Sequence, residues 1–135
     1  MPLATVNGFE MYYETMGEGL PLVFAHGVGG NHAIWWQQVK YFAQWYQVIT
    51  FDHRGFALSV DVEGGPGRAA FVDDLEGLLD FLKLDTVSLI AQSMGGRTCL
   101  GFAVHSPERV NALVMAATTR FFEASGALAA QQEVT

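Results

Sequence analysis

The stretch Ile90-Ala91-Gln92-Ser93-Met94-Gly95-Gly96 decides how the rest of the chain is read. Just before it, Thr86 to Ala91 is mostly apolar and partly β-branched, which suits a strand buried on both faces. After it, Met94 to His105 carries helix-compatible residues and stops ahead of Pro107. Ser93 then falls on the turn between a buried strand and a helix. So sharp a turn brings together the residues two before and two after the serine, and both have to be small. Ala91 and Gly95 meet that demand. A serine at the mouth of a helix lies beside amide groups that have no partner inside the helix, and beside the positive end of its dipole. The amide of Met94 is therefore the natural donor to an oxyanion forming on a bound carbonyl. The plainer reading is a serine that only caps a helix, and it is common before glycine. The other motifs of the chain decide against it.

Working outward, 135 residues allow one domain at most, and a composition half hydrophobic can build a core. Seven Lys and Arg against 14 Asp and Glu give a net charge of −7 with no basic cluster, which excludes nucleic acid and anionic membrane surfaces as partners. Cys99, the single cysteine, allows neither an internal disulfide nor a cysteine metal site and reads as a small buried hydrophobe. The N-terminus lacks the basic-then-apolar order of a leader, and no run approaches the roughly 20 apolar residues of a membrane span. The expected location is cytoplasmic.

Two strand-like runs, Leu3 to Val6 and Phe9 to Thr15, flank Asn7-Gly8, a strong hairpin signal because both turn positions need positive φ. Pro21 to Ala25 reads as a buried strand ending at His26-Gly27-Val28-Gly29-Gly30. The glycines let that loop's backbone approach a ligand closely, but the loop lacks the spacing of a phosphate cradle. Asn31 can cap a helix over Ile34 to Gln44, with Trp35, Val39 and Phe42 on its buried face. Gln47 to Phe51 is a further strand, and Asp61 to Gly67 is a loop. Arg68 to Leu84 is an amphipathic helix burying Phe71, Leu75, Leu78, Leu79 and Leu82. Asp73, Asp74, Glu76 and Asp80 are expected on its solvated face rather than in a metal site. His105 reads as a surface residue at a helix end, and Val110 to Ala117 as the next buried parallel strand.

The pattern small-x-Ser-x-Gly-Gly between strand and helix resembles the nucleophile elbow of the α/β-hydrolase family, with Ala91 where the G-x-S-x-G form has glycine. His26-Gly27-Val28-Gly29 after a strand resembles the family's oxyanion loop. Asp52-His53-Arg54-Gly55-Phe56-Ala57-Leu58-Ser59 resembles its D-x-R-G-aromatic-G-x-S segment, with Ala57 in place of the second glycine. The resemblance implies an α/β fold, a mostly parallel sheet with an N-terminal antiparallel hairpin, and about six of the family's eight strands. It implies Ser93 as nucleophile, the Met94 and Val28 amides as oxyanion donors, and Gly27, Gly29, Gln92 and Trp35 about the substrate. His26 would support the loop, and Asp52 and Arg54 would organise the turn beside the nucleophile. No metal or organic cofactor is implied. Serine rather than aspartate at the elbow argues against the haloalkane dehalogenase and epoxide hydrolase branches. A carboxylic ester, lactone or related carbonyl is the expected substrate, with carbon–carbon bond hydrolases still open.

The family's triad acid and histidine follow the sixth strand, in the order Ser, acid, His. None of His26, His32, His53 and His105 stands there, and Glu123 is the nearest carboxylate. Residues 1 to 135 thus read as the N-terminal part of a hydrolase core domain without its C-terminal strands, the tail from about 120 resembling the entry to a lid. A sixth strand without its neighbour would expose an apolar edge. The expected completion is the C-terminal half of the same protein, with a second chain or a homodimer as alternatives. A non-catalytic hydrolase domain that binds a ligand or partner is the rival from another class. An internal arrangement of His26, Asp52 and Ser93 is the minor alternative within the enzyme reading.

Overall fold

The computed structural model describes residues 2–116. Six strands form one sheet in the order β1-β2-β4-β3-β5-β6. They are β1 (Leu3–Val6), β2 (Phe9–Met16), β3 (Leu20–Ala25), β4 (Tyr46–Phe51), β5 (Val87–Gln92) and β6 (Val110–Ala116). The first two make the antiparallel hairpin, and Asn7 at φ 46° and Gly8 at φ 84° supply the two left-handed positions its turn requires. β2 joins β4 antiparallel, and from there β4, β3, β5 and β6 run parallel. Three α-helices accompany the sheet: α1 (Trp36–Phe42), α2 (Phe71–Phe81) and α3 (Met94–His105).

The sheet's larger apolar layer joins Val23, Ile49, Phe51, Leu89 and Ala91 to Leu75, Leu78 and Leu79 of α2 and Cys99 and Phe102 of α3. A smaller layer joins Leu22, Phe24 and Val48 to Trp35, with Val39 and Phe42 against it. β3 is buried on both faces from Leu22 to Ala25 and so reads as a continuous apolar run, whereas β5 alternates buried and half-buried residues.

Four expectations change. The helix expected over Ile34 to Gln44 is a 3₁₀ turn, His32–Trp35, capped by the Asn31 side chain, followed by the shorter α1. The next helix likewise opens as a 3₁₀ turn, Gly67–Ala70, so its α-helical part is Phe71–Phe81 rather than Arg68 to Leu84. Asp74, expected in solvent, is 1% exposed. Position 74 lies one turn from Phe71 and Leu78 on the buried stripe, and Arg54 holds its carboxylate from both sides, Nε to Oδ2 at 2.8 Å and Nη2 to Oδ1 at 2.9 Å. Finally, β6 is parallel as expected but is not a buried strand. Among the described residues it is the edge strand of the sheet, and Val114 is 53% exposed because no described element covers that face. The expected segment from Phe121 onward and the site of Glu123 lie outside the described residues.

Candidate active site

Side-by-side pairing of β3 and β5 sets Ala25 against Ala91, so the chain leaves both strands at the same edge of the sheet. The loop after β3 and the turn after β5 therefore start as neighbours. At the turn, Ser93 has φ 49° and ψ −116°. A left-handed non-glycine backbone costs on the order of 1–3 kcal/mol and persists only where its surroundings hold it. Those surroundings are identifiable: the Ser93 amide donates to Ala116 O at 3.1 Å, and the Gly96 amide donates to Ser93 O at 2.9 Å. A Cβ on Gly95 would lie 2.3 Å from Ala25 O and 2.8 Å from His26 O, so only glycine permits the helix to start this close to β3. The Ser93 side chain is exposed at the mouth of the turn, while Met94, Gly95 and Gly96 behind it are buried.

The loop after β3 lies directly against the serine. A Cβ on Gly27 would come within 3.0 Å of Ser93 Cβ, 3.2 Å of Gln92 O and 3.6 Å of Ser93 Oγ. Gly27 and Gln92 thus flank the serine. The loop closes with a Gly30 amide to Gly27 O bond of 3.1 Å around Gly29 at φ 80°, the position where such a turn needs glycine. Val28 stands at the apex with its side chain in solvent, and its amide takes no part in closing the turn. Trp35 is buried in the layer beneath, its ring tilted by 50° against that of Phe24 with centroids 4.9 Å apart. Its place is the core on the α1 side of the sheet.

Every histidine of the chain is accounted for. His26 is fully buried; its Nδ1–H donates to Gly27 O at 2.8 Å, and its Nε2 accepts from the His53 amide at 2.9 Å. Burial pushes its pKa down, and that of His53 further down. His32 contacts Asp52 Oδ1 at 2.8 Å through Nδ1 and lies 3.5 Å from Glu14 through Nε2, with the Tyr12 ring 4.7 Å away. The exposed His105 lies 3.9 Å from Glu76. The internal arrangement of His26, Asp52 and Ser93 is thereby overturned. Both His26 nitrogens are spent, and Asp52 accepts the His32 amide on Oδ1 and the Leu58 amide on Oδ2. Asp52 organises the turn, as expected. Arg54 does its work farther off, tying the loop to Asp74 of α2, to Asp61 at 2.9 Å and, through its face, to Phe9.

The site therefore consists of a strained serine, a backbone loop pressed against it and the first amides of α3. A family model described as alpha/beta hydrolase fold matches residues 21–132. The chain belongs to the α/β-hydrolase family. Among its relatives, non-heme chloroperoxidase CPO-A1 of Kitasatospora aureofaciens is 41% identical over 98 residues, which cover 71% of this chain and 36% of that protein. The 3-oxoadipate enol-lactonase 2 of Acinetobacter baylyi is 34% identical over 116 residues, 84% of this chain and 43% of the enzyme. Among solved structures, Est816, described as an N-acyl homoserine lactone degrading enzyme, aligns with a TM-score of 0.82 at 33% identity, over 87% of this chain and 46% of its own. The chain spans less than half the length of these hydrolase relatives.

Sequence reasoning missed two parts of the site's support. One is the contact of His53 with His26 and of His53 Nε2 with Thr98 Oγ1 at 2.9 Å; the other is the His32–Asp52 pair. Both join residues distant along the chain, and neither has a spacing signal. Among the described residues no cluster of histidine, cysteine and carboxylate side chains could hold a metal ion, and no helix is long and apolar enough to cross a membrane.

Proposed function

We propose that this chain carries the nucleophile and oxyanion hole of a serine hydrolase acting on a carboxylic ester, lactone or related carbonyl. Ser93 Oγ attacks the carbonyl carbon, and its proton passes to a histidine. The negative charge moves to the carbonyl oxygen, where the amides of Val28 and Met94 receive it; Gly27, Gly29 and Gln92 shape the approach. Collapse of that intermediate expels the alcohol, and water then releases the acid by the same route. The observation that carries the reading is the packing of the Gly27 backbone against Ser93 at a left-handed elbow. Two of the relatives named above bear lactones in their descriptions, in keeping with an acyl–oxygen bond.

The histidine and acid of the relay come, in this reading, from the C-terminal half of the same protein, which also covers β6; a second chain or a homodimer are the alternatives. The reading calls for no metal or organic cofactor, no nucleic acid and no membrane, and a cytoplasmic location goes with one buried unpaired cysteine. One observation favours a non-catalytic ligand-binding domain instead: every histidine of the chain is engaged away from Ser93. A fluorophosphonate probe separates the two. Labelling at Ser93, located by mass spectrometry and abolished in Ser93→Ala, supports the enzyme. A folded protein that takes no label, alone or with the C-terminal half supplied, refutes it.

A further inference from the structure

Behind the oxyanion loop lies a buried row of polar groups that the mechanism above does not use. Thr98, one turn into α3, sits with its Oγ1 2.9 Å from His53 Nε2. His53 Nδ1 lies 3.2 Å from His26 Nε2, and His26 Nδ1 lies 2.8 Å from Gly27 O. The four residues Thr98, His53, His26 and Gly27 are all buried.

The partners fix where the protons are. Gly27 O can only accept, so His26 Nδ1 carries hydrogen; the His53 amide can only donate, so His26 Nε2 is bare. Two bare nitrogens 3.2 Å apart would repel, so His53 Nδ1 carries hydrogen and its Nε2 accepts from the Thr98 hydroxyl. Donation thus runs in one direction, from Thr98 through His53 and His26 to the carbonyl of Gly27. That carbonyl also closes the turn that presents Val28. Thr98, meanwhile, is rigidly joined through α3 to Met94, which carries the second amide.

We propose that Thr98 and His53 are positioning residues that hold the Val28 amide in register with the Met94 amide, acting through the His26 ring. The proposal rests on the oxyanion-hole reading. It differs from a purely structural role in direction: loss of the Thr98 hydroxyl leaves His53 Nε2 buried without a donor, so the His53 ring shifts, and the His26 ring it donates to moves with it and draws the Gly27 carbonyl out of place.

The test compares Thr98→Val and Thr98→Ser with the natural chain. Long-range proton–nitrogen NMR of the imidazoles reads the tautomers, and the amide signals of Gly27 to Gly29 and of Met94 read the loop. The expected result is displaced His53 and His26 ring nitrogen signals and displaced Gly27 to Gly29 amides in Thr98→Val, with natural signals in Thr98→Ser. Fluorophosphonate labelling of Ser93 falls about 10-fold or more in Thr98→Val, the scale of a weakened oxyanion donor, and recovers in Thr98→Ser. Unchanged rings and loop amides in Thr98→Val overturn the proposal, as does a labelling rate equal to that of the natural chain. A natural chain that takes no label even with its C-terminal half overturns the hydrolase reading instead, while the NMR comparison still decides the relay.

Acid supplies a second measurement should Thr98→Val not fold. His26 faces His53, Asp52, His32 and the Gly27 carbonyl; His53 faces His26, Arg68 and Thr98 among the rings of Phe51, Phe56 and Phe71. Protonating either ring places a hydrogen where the relay needs a lone pair. The Gly27 to Gly29 amides should then titrate with the two rings, and amides that ignore the ring titration refute the relay.

Discussion

Gly95→Ala is the sharpest perturbation of the elbow, because two effects of known sign oppose each other there. Alanine is favoured over glycine inside a helix by about 1 kcal/mol, so a helix free of neighbours would gain. Here the new Cβ would stand 2.3 Å from Ala25 O and 2.7 Å from Ala25 C, where ordinary contact begins at 3.4 Å. Relief requires α3 and the end of β3 to separate by about 1 Å, yet Ala25 and Ala91 are fully buried and paired in register. Forcing atoms into a packed interior costs about 1–3 kcal/mol, and more where the obstacle is backbone, as it is here. The clash wins, with a net loss of about 2 kcal/mol.

Gly101→Ala in the same helix is the control. Its Cβ would meet only the Cγ2 of a half-buried Val72, at 2.7 Å, and a side chain yields more readily than a carbonyl. The helix gain and the contact should cancel to within about 1 kcal/mol. Urea unfolding followed by far-ultraviolet circular dichroism reads the difference. With a slope of about 2 kcal/mol per molar urea, Gly95→Ala should lower the midpoint by about 1 M and Gly101→Ala should leave it nearly in place. Because the displaced atoms lead directly into His26 and Gly27, labelling of Ser93 should fall in Gly95→Ala as well. A Gly95→Ala chain that unfolds at the natural midpoint would refute the account of the elbow.

Ala57 occupies a left-handed position at φ 44°, so Ala57→Gly should stabilise the chain by up to about 1 kcal/mol, read as a rise in the urea midpoint; a fall would contradict the strain. Arg54→Ala leaves the Asp74 carboxylate buried without its partner and should cost about 3–5 kcal/mol by the same measurement, whereas a loss below about 1 kcal/mol would show the pair to be superficial. His26 and His53 have folded-state pKa values below the ordinary 6.5, so unfolding takes up protons as the pH falls. The stability they contribute is complete above about pH 6.5 and declines below it toward the folded-state values; a urea midpoint that stays flat from pH 7 to pH 5 would refute that assignment.

The elbow was legible because its demands are local: two small residues at fixed offsets from Ser93, a β-branched run before and a helical run after. The hairpin at Asn7-Gly8 was legible for the same reason. Asp74 carries a positional signal that its charge obscures. It follows Phe71 by three residues and precedes Leu78 by four, so helical spacing places it on the apolar stripe, and a carboxylate there implies a buried cation. Thr98 and His53 show where no such signal exists. They stand 45 residues apart, on a helix face and at a strand end, and only the stacking of α3 on the sheet brings them together. The exposure of β6 depends on what lies beside it, a property of neighbours rather than of Val110 to Ala116.

That last strand bears on the chemistry more directly than its place at the sheet's edge implies. The Ser93 amide is bonded to Ala116 O, so one wall of the serine's turn is the end of β6 itself. On the proposed reading the described residues supply both amide donors and the nucleophile, while His26, His32 and His53 are engaged in the scaffold and His105 lies exposed at the end of α3. In hydrolases stripped of their triad, an oxyanion hole and binding alone leave a residual rate about 10³–10⁴ above that in water. On the proposed reading this chain by itself should fall in that regime. A segment that packs on β6 and brings a histidine within reach of Ser93 Oγ would meet two needs at once, since it would bury the open face of Val114 and fix Ala116 O while supplying the missing base. On the proposed reading, covering β6 and completing the relay are one event, because β6, whose outer face no described element covers, ends at the carbonyl that holds the Ser93 amide.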